Sequence, residues 1–268
     1  MVMKQKLLFI GAGRMAEAII AGIVKTNPEA IGSITVANQT NQDTLHRLEE
    51  TYGVATTTVW MSEVESHDAI ILATPPHTHD AILRDLARVI DHKLVLTVAA
   101  GIDPAYMEER LPSGTPTAWI MPNTAAQVGE SMSTYTCGEY VTAKHRELIQ
   151  AILDAIGYSE EFPPQLVHDL TAITGSAPAF LYHIADALEK AAESYDISQE
   201  QARELVIKMM KGSIAMLEEG HEPKDLIAQV ASPGGSTAQG LLVLKERQVQ
   251  EAFKEAVIAT NKHARGAE

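Results

Sequence analysis

The stretch KLLFIGAGRMA, residues 6–16, constrains the fold of this chain more than any other. A short apolar run ends abruptly in glycine, and apolar residues and alanines then recur at helical spacing over 15–24. Strand, tight turn and helix in that order satisfy G-x-G-x-x-G/A with alanine in the third place. Gly11 permits the turn, Gly13 lets a diphosphate approach the backbone, and Ala16 keeps the helix close to the sheet. The free N–H groups of the helix start then face the phosphates. On its own the motif would mark only a glycine turn; in this context it predicts dinucleotide binding.

The chain beyond this motif keeps the same alternation. SITVA (33–37) is β-branched, and 43–52 has helical period closed by Gly53. DAIILAT (68–74) is a buried-type strand stopped by Pro75-Pro76, and 79–90 is helical. KLVLTVAAG (93–101) is a strand, 104–111 a short helix opened by Asp103, and TAWIM (117–121) closes the series. Buried runs alternating with amphipathic helices predict an α/β, doubly wound parallel sheet.

The second half lacks strand runs. Phe180, Ile184, Ala187, Leu188 and Ala191 share one helical face, Ser198 caps a second helix with Gln201 as capping-box partner, and 238–264 is mostly helical. Phe162-Pro163-Pro164 breaks any continuous helix and sets the expected boundary between domains 1–162 and 163–268. The alanine- and methionine-rich faces of the helical half suit a subunit interface as well as a core.

Formal net charge is −14. That excess of acid argues against nucleic-acid or anionic-membrane partners, which call for a basic face. The apolar run at the N-terminus is too short for a signal or a membrane span, so a soluble, cytoplasmic protein is expected. Cys137, the only cysteine, rules out an intramolecular disulfide and reads as an inert thiol.

The chemistry should lie at the strand C-termini: ATPP (73–76), VAAG (98–101) and MPNT (121–124). At the end of the second strand stands Asn38-Gln39-Thr40, with no carboxylate to repel a 2′-phosphate and no arginine to clamp one. NADP(H) is therefore favoured and NAD(H) admissible. No histidine falls in a metal-binding pattern, and His77 and His79 read as part of a solvated turn. No nucleophile elbow is present, and no lysine advertises itself as a general base. One loop is left over: SPGGST (232–237), mobile and polar between two helices. It is either a plain connection or a set of backbone amides that holds an anion.

GAGRMA, VAAG, MPNT, LTAITGSAPAF (170–180) and ASPGGST (231–237) together resemble the Δ1-pyrroline-5-carboxylate reductase family, in order and spacing over essentially the whole chain. The resemblance implies a Rossmann-type domain and an all-α dimerisation domain. The implied reaction is NAD(P)H-dependent reduction of the cyclic imine pyrroline-5-carboxylate to L-proline. It implies a homodimer through the helical domain, assembled further into a ring of dimers. Gly11, Ala12, Gly13, Arg14, Met15 and Ala16 would hold the diphosphate, and Asn38 and Gln39 would lie at the adenosine ribose. Ala73, Thr74, Pro75, Ala99, Ala100, Gly101 and Asn123 would border the nicotinamide half. Val230, Ser232, Gly234, Gly235, Ser236 and Thr237 would bind substrate. Thr237 and Ser232 would be the catalytic hydroxyls, Thr237 at the ring nitrogen, in a site completed by a second chain.

Four positions depart from the family pattern: Pro75 replaces a lysine, Trp119 an arginine, Ala177 a glycine, and Gln39 the arginine of an Asn-Arg pair. Pro75 and Trp119 motivate one alternative, a non-catalytic nucleotide-binding regulatory paralogue, against which the intact SPGGST loop argues. A β-hydroxyacid dehydrogenase shares the architecture but needs a lysine facing the nicotinamide, and Lys208, Lys211 and Lys262 read as solvated helix residues.

Overall fold

Eight strands form one sheet in the order β3-β2-β1-β4-β5-β6-β7-β8 in a computed structural model that describes residues 4–264. β1 (Gln5–Ile10), β2 (Ile31–Ala37), β3 (Ala55–Thr57), β4 (Ala69–Leu72), β5 (Leu94–Thr97) and β6 (Thr117–Met121) run parallel. The helices α1 (Arg14–Thr26), α2 (Gln42–Tyr52), α3 (His79–Leu86) and α4 (Pro104–Glu108) punctuate them. Strand order reverses between β1 and β4, which opens the crevice where such sheets bind ligands. Leu7, Leu8, Phe9, Ile70, Ile71 and Leu72 are all nearly inaccessible. They divide between two core clusters, one holding Phe9, Ile19, Ile20 and Leu153, the other Leu8, Leu72, Leu83 and Val95. Each such side chain contributes about 1.5–3 kcal/mol by leaving water.

The series does not close at TAWIM. β7 (Ser131–Cys137) pairs antiparallel with β6, and β8 (Gly157–Glu161) pairs parallel with β7 after the helix α5 (Ala143–Ile156). Ser131, Ser133, Thr134 and Thr136 of β7 are all buried, so no apolar run advertises the strand. α5 packs on α1 so closely that a Cβ on Gly22 would lie 2.5 Å from the Ala155 carbonyl oxygen. Cys137 is half-buried, and burial pushes its thiol up to about 11, so it stays protonated at neutral pH.

The helices continue as α6 (Pro164–Thr171), a π-helical turn (Ala172–Ser176), α7 (Ala177–Glu193), α8 (Gln199–Glu218), α9 (Pro223–Val230), α10 (Ser236–Glu246) and α11 (Val249–Ala264). The stretch 238–264, expected to be mostly helical, is two helices separated where Gln248 takes a positive φ of 53°. Trp119, fully buried in β6, packs with Met121, Phe162 and Val167 of α6. Its ring also lies 4.5 Å from that of His168. Trp119 thus fills a core position, although its indole N–H finds no partner there among the described residues. Such an orphan costs about 1–3 kcal/mol.

Two compact units result. One runs to Ser176 and includes the chain from Asn261, and the other spans Ala177–Thr260. α6 thus belongs with the sheet, which its Val167 contact explains. Within the second unit α9, α10 and α11 bury no residue. Leu205, Ile207, Met209 and Ile214 of α8, and Leu242, Val243 and Leu244 of α10, are all exposed. A helical layer this apolar on its outside is built to be covered by another chain.

Candidate active site

The crevice between β1 and β4 is a cleft of about 570 Å3. Gly11, Ala12, Gly13, Asn38, Gln39, Ala73, Thr74 and Pro75 all line it. Gly11 donates its N–H to the Ala37 carbonyl at 2.9 Å and has φ +111°, and a Cβ there would sit 2.5 Å from the Ala73 carbonyl oxygen. Only glycine fits that cradle. α1 starts at Arg14 with Gly13 as N-cap, and no side chain satisfies its first-turn amides. Those amides and the macrodipole suit a diphosphate, so the donor set fits a dinucleotide. Ala16 is fully buried beneath the turn, and Met15 packs against the core.

At the end of β2, the Asn38 carboxamide oxygen accepts the N–H groups of Thr40 and Asn41 at 3.1 and 3.3 Å and the Thr40 hydroxyl at 3.4 Å. That oxygen is thereby spent on shaping the loop, and the Gln39 carboxamide beside it lines the cleft. No lysine or arginine is among the described residues lining the cleft; its one carboxylate, Asp85, pairs with Arg88 at 3.4 Å. Trp60, in the short turn Trp60–Glu63 after β3, forms a wall with Ala81 and Ile82. Sequence reasoning missed it, because a lone tryptophan in a connection carries no period to place it.

Ala99, Ala100, Gly101 and Asn123 do not line that cleft. Ala99 is buried in the turn after β5, and Gly101 is exposed with φ +80°. Asn123 is buried with both ends of its amide engaged: it donates to the Thr174 carbonyl at 2.9 Å and accepts from the Ala125 N–H at 2.9 Å. It therefore ties MPNT to the π-helical turn of LTAITGSAPAF. His79 corrects the expectation of a solvated turn: it is fully buried, with both ring nitrogens hydrogen-bonded. His77 alone is exposed.

In the helical unit, the SPGGST loop leads into α10. Gly234 takes φ +76°, Gly235 donates to the Ser232 carbonyl at 2.9 Å, and Gly235 then serves as N-cap without a side-chain cap. The first-turn amides of α10, Thr237 among them, have no intrahelical acceptor. Val230, Ser232, Gly234, Ser236 and Thr237 are exposed and Gly235 partly so. Like α1, α10 thus starts behind a glycine N-cap with no side-chain cap, and with a hydroxyl beside it. Lys208 is ion-paired to Glu204 on the surface of α8, and Lys211 and Lys262 are exposed on their helices.

A mostly parallel sheet with a glycine-cradled cleft at its reversal point, followed by a helical unit, defines a nucleotide-binding oxidoreductase. Residues 6–101 match the family described as NADP oxidoreductase, coenzyme F420-dependent, and residues 164–267 that described as pyrroline-5-carboxylate reductase dimerisation. Pyrroline-5-carboxylate reductase 1 of Bacillus spizizenii is 34% identical over 97% of this chain and 87% of its own length. The reductase of Methanosarcina acetivorans is 32% identical over 97% of both. The Plasmodium falciparum pyrroline carboxylate reductase, solved with NADP bound, superposes with a TM-score of 0.88 at 25% identity over 98% of both chains. The chain belongs to the pyrroline-5-carboxylate reductase family. Its helical half is that family's dimerisation domain. No helix among the described residues is long and apolar enough to cross a membrane.

Proposed function

We propose that this chain reduces Δ1-pyrroline-5-carboxylate to L-proline, the last step of proline synthesis, using the cleft for NAD(P)H and the SPGGST loop for the imine. The observation that carries this is the presence in one chain of two helix starts with a glycine N-cap and no side-chain cap, α1 behind Gly13 beside its glycine cradle and α10 behind Gly235. One suits a diphosphate and the other a carboxylate.

When bound, the reduced nicotinamide supplies a hydride to the imine carbon. The chain's own contribution is binding and orientation. The amides from Ser236 onward hold the substrate carboxylate, and Ser232 and the loop glycines shape its pocket. The Thr237 hydroxyl hydrogen-bonds the ring nitrogen and relays the proton that leaves it a secondary amine. A protonated imine is already a good hydride acceptor, so no strong general base is needed, which accounts for the absence of a suitably placed lysine. The helical unit pairs with that of a second copy, so that the loop of one protomer completes the site of the other, and dimers assemble into a ring. The protein works in the cytoplasm.

NADPH is the preferred reductant, because the end of β2 offers amide and hydroxyl donors and no carboxylate to a 2′-phosphate. Gln39→Arg should raise the NADPH-to-NADH ratio of kcat/KM by about tenfold, since a guanidinium adds a charge-assisted pair. A ratio unmoved by that change would remove Gln39 from the ribose site. The reading as a whole is tested by consumption of reduced dinucleotide with purified protein. Consumption should depend on the cyclic imine, and consumption instead with a 3-hydroxyacid and the oxidised form would favour the dehydrogenase.

A further inference from the structure

The buried imidazole of His79 lies between the two loops expected to border the nicotinamide, and its hydrogen bonds have only one consistent direction. Nδ1 lies 3.2 Å from the Pro75 carbonyl oxygen, which can only accept, so Nδ1 carries the hydrogen. Burial holds the imidazole below the ordinary histidine range, so the ring is neutral at pH 7 and Nε2 is bare. Nε2 must then accept from the Thr97 hydroxyl, 2.8 Å away. That fixes the hydroxyl's lone pairs, one of which accepts the Ala99 N–H at 3.1 Å. The Pro75 carbonyl also accepts the Thr78 N–H at 3.0 Å, and the Thr78 hydroxyl lies 2.7 Å from it.

We propose that His79 is a positioning residue for hydride transfer: it spans from the loop after β4 to the loop after β5 and fixes their separation, and with it the pose of the nicotinamide. The inference rests on the proposed function and takes the nicotinamide to lie against Ala73–Pro75 and Ala99–Gly101, the borders that the family resemblance implies. The chain Pro75 carbonyl, imidazole, Thr97 hydroxyl, Ala99 amide leaves no member free to rotate without breaking a buried hydrogen bond. Pro75 contributes only its carbonyl to this hydrogen-bonded chain. Thr97 is itself fully buried at the last residue of β5, paired in register with Leu72 at the last residue of β4. His79 therefore braces the loops where the sheet's own ladder ends.

The test compares wild type with His79→Leu, His79→Gln and Thr97→Val by direct NADPH titration, followed through protein fluorescence, and by steady-state kinetics. His79→Leu should weaken NADPH binding and lower kcat by about tenfold each, with KM for the imine within about twofold of wild type. His79→Gln, which restores an acceptor towards Thr97, should recover part of both losses. Thr97→Val, nearly isosteric and expected to fold, should move the same two quantities in the same direction. The double variant should be no worse than His79→Leu alone, as for residues in one network. A purely structural histidine would lower the melting temperature and leave NADPH affinity and kcat at wild-type values, and that result overturns the inference. Wild-type protein that fails to bind NADPH at all would overturn the functional reading first, and this inference with it.

Discussion

Thr237→Ala should lower kcat for the cyclic imine by about a hundredfold or more while NADPH binds as in wild type. The position separates chemistry from stability unusually well. Thr237 is exposed in the first turn of α10, whose N-cap is a glycine and whose start no side chain caps. Removing the hydroxyl leaves the backbone amides in place and costs the fold no buried contact. The carboxylate would still dock on those amides, so KM should move less than kcat. What would be lost, on the proposed function, is the hydroxyl that would hold the ring nitrogen and pass its proton, an interaction that would strengthen as the nitrogen becomes an amine. Thr237→Ser should restore most of the rate. Turnover unchanged in Thr237→Ala would remove the role assigned to this residue.

Gly11→Ala should abolish dinucleotide binding. Its Cβ would lie 2.5 Å from the Ala73 carbonyl oxygen and 2.9 Å from the Thr74 methyl group, at a φ of +111°. The backbone oxygen belongs to the end of β4 and cannot step aside without breaking the Ala73 N–H to Ile10 carbonyl bond of 2.9 Å. Backbone strain and overpacking together should cost roughly 2–4 kcal/mol of stability. The displaced loop should weaken NADPH binding by about a hundredfold or more. Gly53→Ala is the control. Gly53 also has a positive φ, +66°, but nothing lies within 4 Å of the added Cβ. It should cost about 1 kcal/mol and leave the NADPH affinity untouched. Titration of the three proteins, each checked for its melting temperature, separates strain in the backbone from loss of the cradle.

Much of this molecule was legible in the sequence. The strands β1, β4, β5 and β6 announce themselves as apolar runs, largely buried on both faces, and β2 by its β-branched residues. The glycine cradle is legible because only glycine tolerates its dihedrals and close contacts. β7 was not, since its buried residues are serines and threonines rather than an apolar run; Ser131 Oγ accepts the Asn123 N–H at 3.0 Å, while the Thr134 hydroxyl finds no partner among the described residues. α5 and β8 follow β7 and went with it. Pro163 and Pro164 do break the chain, but a proline marks where a helix starts and not which core it joins, and Val167 draws α6 to the sheet. His79 and Trp60 were invisible for a common reason: their environment is made by residues distant in sequence, Thr97 for one and the α3 face for the other. Trp119 shows the converse. Its departure from the family pattern looks like a change at the site and is, in the fold, a change in the core.

The most direct test of the central claim is the stoichiometry of the reaction. Purified protein, NADPH and Δ1-pyrroline-5-carboxylate are incubated together, and L-proline formed is measured against NADPH consumed. One proline should form for each NADPH, at a rate that Thr237→Ala lowers by about a hundredfold or more. Intact NADPH binding with no proline formed would contradict it, and would leave a nucleotide-binding protein whose catalytic role has been lost.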